Sequence, residues 1–134
     1  MKFAVSLLHA LALAVINLGG VLVGFAFYKI SRTAYQLAVQ VPVAVLVSVA
    51  GFATWYFIVG RVARGALALR GSAAYAGTYA LAFAWFPALF VPLHYATQGY
   101  LTSFANIYYM WLFQAPTNAL ALAAVYLAGR RRVP

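Results

Sequence analysis

The chain has 134 residues, nine Lys and Arg, not one Asp or Glu and no Cys, and 67% of it is apolar. That balance excludes carboxylate acid–base catalysis, carboxylate metal cages, intramembrane carboxylate relays, disulfides and thiol nucleophiles. A charged fraction of 7%, against about 25% in soluble domains, and a mean hydropathy of +0.94 place it in the membrane class.

Four apolar runs, at 4–27, 35–59, 73–95 and 104–128, divide a single domain spanning 1–134. Lipid offers no hydrogen bonds to a backbone, so each run reads as a helix. The expected fold is an all-α integral membrane protein, an antiparallel up-down bundle of four transmembrane helices.

The first run opens on Met1-Lys2 and small residues such as Ala10 and Ala12, as a signal peptide does. It continues through Phe27, past the roughly 7–15 apolar residues of a signal core, and reads as a retained helix. It carries His9, Asn17 and Gly20-x-x-x-Gly24, a spacing that permits close helix crossing.

Lys29 and Arg32 break the pattern before the second run, where Gln36 and Gln40 stand one turn apart. Pro42 frees the carbonyl of Ala38, because a proline nitrogen has no proton to give it. Arg61, Arg64 and Arg70 fill the second break. In the third run Ala76, Ala80, Ala84 and Ala88 make a row four residues apart, and Pro87 and Pro92 free Phe83 and Ala88. Small-residue rows mark helix contact faces, here either within the bundle or against another subunit. The fourth run places Asn106, Gln114 and Asn118 along one face, with Pro116 freeing Leu112. Gln40-Val41-Pro42 and Gln114-Ala115-Pro116 are a faint internal echo of each other.

The amide faces of the second and fourth runs are expected to meet each other or a wet cavity, because a buried amide needs a partner. Kinks at Pro42, Pro87, Pro92 and Pro116 are expected to open the outer half. With four spans, Lys2, Arg61, Arg64, Arg70, Arg130, Arg131 and Arg132 share a side, and only Lys29 and Arg32 lie opposite. The positive-inside rule then puts both termini in the cytoplasm. Those arginines are candidates for anionic lipid head groups or an acidic partner. No nucleic-acid partner is expected, since the basic residues form short clusters between apolar runs.

No catalytic, metal or cofactor constellation is visible. A haem between His9 and His94 is not expected within one protomer, because they fall near opposite membrane faces. The composition points first to a non-catalytic accessory or assembly subunit of a larger membrane complex in the cell membrane, acting through helix contacts with other subunits or itself. The alternative is a small oligomeric transporter or channel for a neutral or anionic solute. A haem- or quinone-binding anchor is a lesser alternative.

Overall fold

The computed structural model describes residues 2–32 and 34–131, with the side chains of 3–32 and 34–129. They form four helices: α1 (Lys2–Ser31), α2 (Gln36–Val62), α3 (Ser72–Gln98) and α4 (Phe104–Arg131). Each holds a segment long and apolar enough to cross a membrane, the shortest being Phe104–Gly129 at 26 residues. At about 1.5 Å per residue that segment reaches roughly 39 Å, beyond a hydrocarbon core of about 30 Å. The helices overrun the apolar runs at their polar ends, so Lys29 and Ser31 still belong to α1.

Backbone turns end the helices. Arg32 (φ 55°) follows α1 in the left-handed region, and Arg64 (φ 53°) and Gly65 (φ 81°) follow α2. Gly71 at φ 88° precedes α3. Gly99 at φ 81° closes that helix, its N–H donating to the Tyr95 carbonyl at 2.9 Å.

Chain direction alternates from helix to helix, but neighbours are not all antiparallel. α1 packs on α2 and α3, while α4 packs on α2 and more loosely on α3. The ring order is therefore α1, α2, α4, α3. Ser6 near the start of α1 donates to the Ala74 carbonyl near the start of α3, so those two run parallel. α2 and α4 are likewise parallel, with Leu37 and Gln40 beside Tyr109 and Phe113 in one crevice. The two segments of the sequence echo thus lie side by side. The segment from Ala63 to Gly71 crosses one end of the bundle, at the end where α1 begins and α4 finishes.

The α1–α2 contact explains the glycine pair. A methyl on Gly20 would stand 2.8 Å from Ser48 Oγ and 2.9 Å from the Ala44 carbonyl oxygen, and one on Gly24 would overlap the Gln40 carbonyl. Only hydrogen fits at both positions, so the two backbones touch. The apolar core is small: Ala10, Leu13, Phe52, Leu69, Ala82, Ala121 and Leu122. Large apolar side chains such as Leu22, Leu46, Ile58 and Leu120 instead point outward. An outward-facing apolar coat with polar groups inside suits a bilayer, where burying apolar groups gains little.

Candidate functional site

The interior is polar at mid-height. Asn17, Ser48 and Asn118 stand near the midpoints of α1, α2 and α4, and all three are fully buried. One turn before Asn118, Gln114 is fully buried as well. Asn17 Nδ2 donates to Asn118 Oδ1 at 2.7 Å, a bond across the ring from α1 to α4. Among the described residues no protein group pairs with Asn17 Oδ1, Ser48 Oγ, Asn118 Nδ2 or either polar atom of Gln114. The same holds for Trp85 Nε1, at the midpoint of α3. Each buried group left this way costs about 1–3 kcal/mol, whereas an interhelical side-chain bond in a membrane returns about 0.6 kcal/mol. Thr78 and Thr117, also buried, bond back to the Ala74 and Phe113 carbonyls of their own helices.

Among the described residues no hydrogen bond joins the two amide faces, though Gln40 lines a crevice shared with α4. Gln40 Nε2 donates to the Val21 carbonyl of α1 at 3.1 Å, and its Oε1 accepts from Gln36, which is exposed. Asn106 is exposed near the start of α4 and donates to Thr102 Oγ1. Gln114 and Asn118 turn into the bundle, where Asn118 accepts from Asn17 of α1. The reason is the close glycine crossing, which brings the Val21 carbonyl of α1 within reach of the Gln40 amide, although Gln40 also lines a crevice with Tyr109 and Phe113 of α4.

The helices continue through all four prolines. One freed carbonyl has a replacement donor, since Trp111 Nε1 of α4 donates to Phe83 at 2.9 Å. Tyr79 of α3 reaches back to the Ala115 carbonyl at 3.0 Å. Pro87 marked Phe83 in the sequence as an acceptor in need. Nothing in the sequence named Trp111 as its donor.

The end of the bundle where α1 begins is fastened by side chains. His9 Nε2 donates to the Leu67 carbonyl, and Tyr56 Oη accepts from the Leu69 N–H at 2.9 Å. The His9 ring lies among Phe52, Trp55 and Tyr56 of α2. His94, near the other end of α3, donates from Nδ1 to the Tyr100 carbonyl. Ser6 of α1 is level with Ala74, so His9 and His94 are roughly 25 Å apart along the axis at about 1.5 Å per residue.

The alanine row is not a packing face within the chain. Ala76, Ala80, Ala84 and Ala88 are all exposed, while the inward face of α3 is made by Thr78, Ala82 and Phe86. Arg61, Arg64 and Arg70 are exposed near the end where α1 begins, Lys29 and Arg32 at the opposite end. The side chains of Arg130, Arg131 and Arg132 lie outside the described residues. No family model, curated protein or solved structure matches the chain.

Proposed function

We propose that the chain is a multi-pass cell-membrane protein with both termini cytoplasmic, and that it serves as a non-catalytic subunit of a larger membrane complex. The observation that carries this reading is the open alanine face of α3. Association in lipid depends on close backbone approach, which small residues permit. The glycine pair of α1 already serves α2. Ala76, Ala80, Ala84 and Ala88 form a face of the same kind that no helix of this chain covers. The excess of Lys and Arg at the end holding the termini supports the orientation.

The test is affinity purification from native membranes in mild detergent, followed by native mass spectrometry. Defined stoichiometric partners are expected with the wild-type chain. Ala80→Trp and Ala84→Trp should release them, and Leu46→Trp, on the exposed side of α2, should not. A wild-type chain that purifies without partners removes the reading.

The buried layer favours a second reading, in which a homo-oligomer carries a neutral or anionic solute past Gln114 and Asn118. Uncharged amide donors and acceptors suit such a solute, and no carboxylate is present to attract a cation. Liposome flux abolished by Gln114→Leu would support it, and unchanged flux in that variant would exclude this path.

A further inference from the structure

At the inner end of the bundle a crevice of about 560 Å³ lies between the first turns of α1, the segment joining α2 to α3, and the start of α3. Its walls are almost wholly apolar, with Val5, Leu8, Ala66, Leu67 and Ala74 among them. Among the described residues, Arg70 is the one charged residue that lines it.

The walls are held in place by bonds already described. His9 fixes the Leu67 carbonyl, Tyr56 fixes the Leu69 N–H, and Ser6 ties α1 to Ala74. The Ala63 to Gly71 segment adds its own turns, Ala66 N–H to the Ala63 carbonyl at 3.1 Å and Ala68 N–H to Gly65 at 3.2 Å. The crevice is thus preformed, as binding clefts commonly are.

The guanidinium at its rim has donors to spare. Arg70 Nη2 makes a long bond of 3.5 Å to the Gly65 carbonyl, and a guanidinium offers five N–H groups. Arg64, exposed, precedes that same glycine. No Asp or Glu exists anywhere in the chain to neutralise either. No acidic side chain of this chain competes with an outside anion for this corner. A rigid apolar slot beside unneutralised arginines calls for a ligand with an apolar body and an anionic head.

We propose that this crevice seats one acyl chain of an anionic phospholipid, with its phosphate held by Arg70 and drawn in by Arg64. This rests on the membrane placement proposed above, though not on the subunit role. Arg–phosphate pairing is charge-assisted and geometrically specific, and each basic group near an anionic surface contributes about 1 kcal/mol.

The test uses the full chain in a zwitterionic detergent, titrated with phosphatidylglycerol or phosphatidylcholine of the same acyl chains and read by native mass spectrometry. One phosphatidylglycerol per chain is expected, bound roughly tenfold or more tighter than phosphatidylcholine. Arg70→Ala should erase most of that preference, a loss of about tenfold, which corresponds to about 1.4 kcal/mol. Ala68→Leu, which fills the slot and keeps the charge, should weaken both lipids. Inorganic phosphate at equal concentration should displace neither. Helix content and elution volume of each variant, measured without lipid, establish that it folds. Equal affinity for the two lipids overturns the proposal. So does unchanged binding in folded Arg70→Ala and Ala68→Leu chains, and so does displacement by inorganic phosphate, which would mark a small-anion site. A chain that stays monodisperse after detergent removal instead refutes the membrane placement itself.

Discussion

The α1–α2 and α3–α4 hairpins are built from similar apolar material and hold together in different ways. In the first, Gly20 and Gly24 bring two backbones into contact and the amide of Gln40 closes the seam on Val21. In the second, the helices stand further apart, and aromatic side chains bridge them. Trp111 reaches Phe83, Tyr79 reaches Ala115, and the rings of Tyr75 and Tyr126 meet edge to face. A glycine seam has no tolerance for added atoms, whereas a bridged gap depends on a few polar tips. The first hairpin also uses up its small-residue face internally, and the second leaves its own on the outside.

The seam should be the most fragile feature. Gly24→Leu drives a side chain into the Gln40 backbone and should lower stability by about 3 kcal/mol or more, seen as a shifted midpoint in denaturing-detergent titration. Gly19→Leu is the matched control, because a Cβ there meets nothing within 4 Å. Equal effects at the two glycines would falsify the close crossing.

The bridged hairpin should respond at one atom. Trp111→Phe leaves the Phe83 carbonyl without its donor, and a loss of about 1–3 kcal/mol is expected. Adding Pro87→Ala returns a backbone N–H to that carbonyl and should recover part of the loss. Strictly additive effects in this double-mutant cycle would mean that the indole bond is incidental.

Smaller changes separate pairing from burial in the polar layer. Asn118→Leu strands Asn17 and should cost about 1–2 kcal/mol. Gln114→Leu removes a side chain with no partner to lose, so it should be neutral or stabilising by about 1 kcal/mol. If Gln114→Leu proves the more damaging of the two, the donors and acceptors of Gln114 are engaged in the working protein. The least effect belongs to the turn between the hairpins. Arg64→Gly relieves a left-handed residue and should raise the thermal midpoint in line with a gain of about 1 kcal/mol at most.

Hydropathy located all four helices, because lipid demands helical backbone wherever a long apolar run crosses it. The glycine spacing in α1 was legible for a similar reason: few arrangements use Gly20 and Gly24 one turn apart. Ring order was not legible. The link from Ala63 to Gly71 is long enough for α2 and α3 to be neighbours or not, and no residue pattern decides between them. The alanine row was visible as a face, but spacing alone does not say whether a face turns inward. The bond from Asn17 to Asn118 depends on α1 and α4 facing each other across the ring, which no spacing in the sequence shows.

The most direct measurement is site-specific photo-crosslinking in native membranes, with a photoreactive residue placed in turn at Ala80, Ala84 and Leu46. Adducts of one defined mass are expected from Ala80 and Ala84 and none from Leu46, which faces outward from α2. Adducts absent from both alanines, or shared equally with Leu46, would contradict a subunit contact on α3.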